Sequence, residues 1–199
     1  GFGVLKKALG HAYFQTLGRR MLTACDRVLV SSQIYAANSP FLKRIHRQYV
    51  QAPPGLDPPP AAHLQQAKTG QCPSGRKLGP RQERPYILFV GKPSLPEKGF
   101  YLLHRAWKHL VRAGVDVDLW VVGESGQGAE AAKTYRPQVR YTGRVDSRDR
   151  LWFLYARACL TVVPSLVPES FAMVVAEALA AGCPVVASRI GGIPELVQD

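Results

Sequence analysis

From Tyr86 onward the chain repeats one unit: a short apolar run, a turn marked by glycine or proline, then a helical stretch. Strands are predicted over 86–90, 117–122, 140–142, 159–163 and 184–188, and helices over 99–113, 147–157 and 169–181. Most of the strands read as continuous Val, Leu, Ile and Phe rather than as an alternation, which is the pattern of strands covered on both faces. Gly114 and Gly182 stop two of the helices, as glycine does where the chain must leave a helix. Short strands alternating with helices of this length predict an α/β fold, a Rossmann-like parallel sheet with helices on both faces. Ligands of such sheets sit beyond the carboxyl ends of the strands. That rule directs attention to the loops after Val90, Val122, Thr142 and Val163.

The first 85 residues are organised differently. A helix is predicted over 2–24, where Val4, Leu5, Leu9, Phe14, Leu17, Met21 and Leu22 recur near helical spacing, with Lys6, Lys7, His11, Arg19 and Arg20 mostly between them. A buried strand over 27–31, a helix over 33–47 and a short strand over 50–52 follow, the last stopped by Pro53, Pro54 and Gly55. Segment 58–85, rich in Pro, Gly and Lys, reads as a linker or long surface loop. Three parts are therefore expected, 1–57, 58–85 and 86–199.

The net charge of +12 is concentrated at the front: residues 1–50 carry eight Lys and Arg against the single acid Asp26. Such a surface suits an anionic membrane, a nucleic acid or plain solvent. The basic part lacks interleaved aromatic residues and any nucleic-acid-binding motif, so a nucleic-acid partner is not expected. An anionic lipid surface stays open as a partner, since each basic residue beside one contributes about 1 kcal/mol. No apolar run is long enough to span a bilayer, and the N-terminus shows no signal-peptide pattern. Cys25, Cys72, Cys159 and Cys183 match no zinc or redox spacing. Free thiols in a reducing, cytoplasmic compartment are the expectation.

Unusual residues gather in the predicted loops. Gly91 and Lys92 follow the first strand of the repeat, and Lys98 precedes the next helix at Gly99. Helix N-termini and lysines together hold phosphates, although two lysines at this spacing can equally be solvated loop residues. Glu169 falls at the predicted start of helix 169–181, where a carboxylate also serves the helix dipole. Glu177 lies eight residues on, in the apolar stretch Val174-Val175-Ala176-Glu177-Ala178-Leu179-Ala180. A carboxylate there must escape to water or meet a partner. On one helix the two would be separated by about 12 Å, the reach of an elongated ligand.

The run from Pro168 to Ser188, followed by Gly191-Gly192-Ile193-Pro194-Glu195, resembles the signature of the family-4 glycosyltransferases, also called glycosyl transferases group 1. Its mark is two glutamates separated by seven residues, matched by Glu169 and Glu177. The run from Leu88 to Gly99 resembles the family's phosphate loop, with Lys92 standing where an arginine is usual. Val121-Val122-Gly123-Glu124 and Thr142-Gly143-Arg144-Val145 resemble its glycine turn and base-facing loop, and residues 26–57 resemble the end of its N-terminal domain.

The resemblance implies the nucleotide-sugar-binding half of a retaining transferase of the two-domain GT-B type, incomplete in that most of the acceptor-side domain and the closing C-terminal elements would lie outside residues 1–199. By it, Gly91, Lys92 and Lys98 meet the diphosphate, Gly123, Arg144 and Val145 line the nucleoside, and Glu177 binds the ribose. Ser170 and Phe171 complete the donor contacts, and Glu169 faces the donor sugar as the catalytic residue. The implied donor is a UDP-, GDP- or ADP-sugar, with no cofactor and no metal, and the implied acceptor is an unidentified sugar, glycan or lipid. A non-catalytic nucleotide-sugar-binding module is the alternative.

Overall fold

The computed structural model describes residues 10, 12–44, 49–61, 64–65, 84–123 and 138–197. The predicted positions Lys6, Lys7, His11, Cys72 and Glu124, together with most of segment 58–85, lie outside the described residues. The front of the chain forms a π-type turn, Phe14–Gly18, then α1 (Arg19–Ala24), β1 (Val28–Val30), α2 (Gln33–Asn38), a 3-10 turn Leu42–Arg44 and β2 (Tyr49–Gln51). β1 and β2 pair in parallel, with Val28 opposite Tyr49. Val28, Val30 and Ala36 make a small core with Leu22, Leu42 and Tyr49 against it.

One expectation for this region changes. The helix predicted over 33–47 ends at Asn38, because Pro40 lacks the N–H that a continuing helix needs. On the front helix Tyr13, Leu17 and Met21 are each at least half exposed.

The rest is β3 (Tyr86–Val90), α3 (Phe100–Arg112), β4 (Asp118–Val122), β5 (Val139–Gly143), α4 (Arg148–Arg157), β6 (Leu160–Val163), α5 (Met173–Ala180) and β7 (Val185–Ala187). The five strands form one parallel sheet in the order β5-β4-β3-β6-β7. Side chains of successive strand residues point to opposite faces, and the two cores follow that rule. Ile87, Phe89, Leu119 and Val121 pack with Leu103 and Trp107 of α3. Tyr86, Leu88, Trp120 and Val122 pack with Trp152, Leu154 and Tyr155 of α4 and Ala178 of α5. Helices thus cover both faces, as expected for a Rossmann-like sheet.

From β3 the chain moves outward to β4 and β5, then crosses back to β6 and β7. The order reverses between β3 and β6, so the loops after these two strands diverge and leave a crevice. The two loops also touch. Leu166 N donates to Glu97 O at 2.8 Å, and Gly99, at φ +64°, lies so close to the Pro164 carbonyl that a Cβ would fall 1.9 Å from its oxygen.

One boundary is corrected here. The helix predicted over 169–181 begins only at Met173, after Ala172 in the left-handed region at φ 61°. Glu169 and Ser170 therefore belong to the loop after β6 and not to a helical first turn.

Gly99 and Gly114 separate two effects that usually come together. Both have positive φ, but a Cβ on Gly114 would meet nothing within 4 Å. Gly114→Ala should cost about 1–2 kcal/mol, the backbone term alone. Gly99→Ala adds a collision with backbone and should cost at least about 3 kcal/mol. Urea denaturation of the two variants measures the difference, and equal losses would mean that the loop contact contributes nothing.

Candidate functional site

The crevice between the β3 and β6 loops brings together residues far apart in sequence. Lys98 closes the 3-10 turn Pro96–Lys98 that leads into α3. Its Nζ donates to Glu169 Oε1 at 3.0 Å, in an ion pair with the lysine side chain 38% exposed and the glutamate 18%. Ser165 Oγ donates to the same carboxylate oxygen. The backbone of Glu169 is held as well, since its carbonyl accepts from Gly192 N at 2.8 Å. Glu169 is therefore oriented from both its side chain and its main chain, with a cation at its side.

Glu177 sits in the middle of α5 and meets a partner rather than escaping to water. Tyr155 OH, on α4, donates to Glu177 Oε2 at 2.8 Å. Tyr155 is completely buried. Burial, followed by the adjacent Glu177 charge and the hydrogen bond to it, pushes the phenol far above its ordinary value. Its proton is thus retained for donation, which supplies the partner that a carboxylate among apolar residues requires.

The glycines of the β3 and β4 loops are neighbours. Gly91 N donates to Val122 O at 2.8 Å and Gly123 N to Gly143 O at 3.0 Å, so the sheet pairing continues one residue past the strands. A Cβ on Gly123 would fall 1.9 Å from Gly91 O. Lys92 is exposed at this rim, beyond Gly91. Arg144, after β5, is turned to Asp146, its Nε 2.7 Å from Oδ1, and both side chains are exposed. Val145 packs against the core beneath α4 and α5. Ser170 is exposed and Phe171 partly buried. Among the described residues, no group of three or more His, Cys, Asp or Glu is close enough to hold a metal.

The structure thus gathers the predicted residues at the carboxyl ends of β3, β4, β5 and β6, apart from Glu177, which projects from within α5. It does not place the two glutamates on one helix; they have different supports. Sequence reasoning did not single out Ser165 or Tyr155. Ser165 stands four residues before Glu169 and would read as helical spacing, yet the contact is made inside a loop. Tyr155 is indistinguishable in sequence from the other core aromatics of α4.

A further cleft of about 650 Å3 lies beside the Glu169 loop, between Ile34, Tyr35 and Asn38 on one side and Pro168, Arg189 and Gly191 on the other. Among the described residues Cys25, Cys159 and Cys183 form no disulfide with one another. Among the described residues no helix is long and apolar enough to cross a membrane.

Comparison with known proteins agrees with this fold. The family model described as glycosyl transferases group 1 matches residues 84–199. The lipopolysaccharide 1,2-N-acetylglucosaminetransferase of Salmonella typhimurium is 34% identical over 161 residues, which are 70% of this chain and 42% of that protein. The D-inositol 3-phosphate glycosyltransferase of Segniliparus rotundus is 30% identical over 90% of this chain and 40% of its own length. The chain spans less than half the length of both relatives. Among solved structures, the sucrose-phosphate synthase of Thermosynechococcus elongatus superposes with a TM-score of 0.68 at 25% identity, covering 92% of this chain and 45% of that one. The Anabaena protein HepE, in complex with UDP and glucose, gives a TM-score of 0.66 at 21% identity over 92% of this chain and 50% of its own.

Two buried phenols make the fold sensitive to alkali. Tyr86, which donates to Leu154 O at 2.7 Å, is also pushed up by burial, against a smaller lowering by Arg157. In the unfolded chain both ionise around the ordinary value of 10.0. Their contribution to stability is fully present below that pH and is lost as pH rises above it, at about 1.4 kcal/mol per pH unit for each phenol. Urea denaturation at about pH 9 and 11 should show the fall, and Tyr155→Phe should remove one tyrosine's share of the slope.

Proposed function

The chain belongs to the glycosyl transferases group 1, and on that premise we propose that it supplies the donor site of an enzyme transferring a hexose from a nucleoside-diphosphate sugar to an acceptor with retention of configuration. The observation that carries this reading is the Lys98–Glu169 pair in the crevice between β3 and β6, where sheets of this kind bind nucleotides. Structural likeness to a protein holding UDP and glucose supports a nucleotide-sugar donor.

In this reading the diphosphate lies against the β3 loop. Lys98 turns from Glu169 to the phosphate oxygens, and Lys92 adds a second cation from the rim. Exchanging one anion for another at Lys98 leaves Glu169 available to the hydroxyls of the donor sugar, with Ser165 still holding its carboxylate. Glu177, kept in place by Tyr155, accepts from the ribose hydroxyls. The backbone at 143–145 meets the base, with the Gly91 and Gly123 turns beside it at the ends of the strands. As the sugar–phosphate bond breaks, negative charge grows on the departing diphosphate, and fixed cations and backbone N–H groups stabilise it there. Retention follows when the acceptor attacks from the face the diphosphate leaves.

A second proposal concerns the front helix. The exposed Tyr13, Leu17 and Met21 recur every four residues, with Arg19 and Arg20 exposed nearby. One apolar face beside basic side chains suits the surface of an anionic bilayer. Arg19→Gln with Arg20→Gln should reduce co-sedimentation with anionic vesicles at low salt. Equal binding to neutral and anionic vesicles counts against this partner.

Calorimetry with nucleoside diphosphates tests the donor site. Lys98→Ala should weaken binding by about 1.5 kcal/mol, roughly tenfold; this is the low end for a hydrogen bond to a charged group, because Lys98 must first release Glu169. Glu177→Ala should weaken binding of the bare nucleotide. Glu169→Ala should leave nucleotide affinity nearly unchanged and suppress transfer in the full-length gene product. Unchanged affinity in a folded Lys98→Ala variant would sink the phosphate assignment.

A further inference from the structure

Segment 191–195 touches two parts of the molecule at once. On one side its glycines lie on the Glu169 loop: a Cβ on Gly191 would fall 2.3 Å from Glu169 O, and one on Gly192 would fall 2.5 Å from Ser170 O. On the other side Glu195, at the end of the 3-10 turn Ile193–Glu195, reaches the β1–β2 unit. Its Oε1 accepts from Ser32 Oγ at 2.9 Å and from the Ile34 amide, and its Oε2 accepts from Gln51 Nε2 at 2.8 Å. An ionised carboxylate accepts and never donates, so three converging donors match what it offers.

The same joint holds the Glu169 loop directly. Ser31 Oγ donates to Ser170 O at 3.2 Å, and Ser32 Cβ lies where a side chain on Gly192 would go, 2.6 Å away. Val28, Val30 and Ala36 form a core separate from those of the five-stranded sheet. Next to the joint lies the open cleft between α2 and residues 168 and 189–194. Here, then, the β1–β2 unit is held to the Glu169 loop by directional polar contacts rather than by a shared apolar interior.

We propose that Glu195 is a positioning residue: by binding Ser32, Ile34 and Gln51 together it seats the β1–β2 unit on the Glu169–Ser170 turn and so sets the Glu169 carboxylate for transfer. The proposal rests on the donor-site reading for Glu169's role, while the latch itself rests on the hydrogen bonds. Glu195 acts through the loop and touches neither the diphosphate nor the ribose assigned above. Loss of the latch therefore lowers turnover and spares nucleotide affinity.

A reciprocal exchange on the exposed side of the joint tests it. Gln51→Glu sets two carboxylates against each other. Adding Glu195→Gln lets the new amide donate to residue 51 while its carbonyl still accepts from Ser32 and Ile34. In the full-length gene product, Gln51→Glu should lower the kcat for consumption of the nucleotide sugar at least about tenfold, with nucleoside-diphosphate affinity within about twofold of the parent. The double variant should recover most of the loss. Amide exchange at Ile34 and Tyr35 should quicken in the single variant and slow again in the double. Unchanged kcat in Gln51→Glu, or a double variant no better than the single, overturns the positioning role, and unchanged exchange overturns the latch. A parent protein that binds no nucleoside diphosphate marks failure of the donor-site reading instead, and the exchange measurement then still decides the latch.

Discussion

The site depends on a backbone-to-backbone contact at the point where the sheet reverses. Gly99 lies against the Pro164 carbonyl, and Leu166 N donates to Glu97 O across the same gap. A parallel sheet whose strand order reverses leaves a crevice there whatever its sequence. What this contact adds is the width of the crevice. With no side chain on Gly99, the β3 and β6 loops approach until Lys98 and Glu169 reach hydrogen-bonding distance. The cation and the carboxylate come from opposite lips of the opening, so their separation measures how far the lips are apart.

Glu177 sets a charge within the apolar packing at a place where the fold supplies it a partner. The faces of the sheet are filled by apolar and aromatic side chains. Glu177 interrupts that pattern from the middle of α5, and Tyr155, fully buried in α4, meets it there. A carboxylate left unpaired in such a position costs several kcal/mol. One phenolic hydrogen bond offsets part of that cost and also fixes the direction of the carboxylate. The packing of two helices and the orientation of a charged group are thus one arrangement.

Glu169 shows the opposite solution, a charged residue held by a loop. Its side chain is bound by Lys98 and Ser165, and its carbonyl by Gly192. Gly192 belongs to the segment whose Glu195 binds Ser32 and Gln51. The small β1–β2 unit and the large sheet therefore meet on either side of one short turn. Loops that carry function gain their precision from contacts of this kind rather than from regular structure.

Strand positions and sheet type were legible in the sequence, because burial on both faces leaves runs such as Tyr86-Ile87-Leu88-Phe89-Val90 that local reading detects. Gly91, Lys98 and Gly123 were legible as loop residues for the same reason. Tertiary structure alone decided where α5 begins. Pro168 and Glu169 have the local chemistry of a helix start, but Gly191 and Gly192 pack on the Glu169–Ser170 backbone, and the helix waits until Met173, beyond Ala172 at positive φ. Tyr155 and Ser165 became visible only as partners of Glu177 and Glu169, and the contacts of Glu195, legible in sequence only as the end of the signature run, with Ser32, Ile34 and Gln51 likewise. Local propensity acts over a few residues, whereas these contacts join segments separated by up to 163 positions. No local pattern in the chain encodes which distant donor a carboxylate will meet, and folding alone settles that pairing.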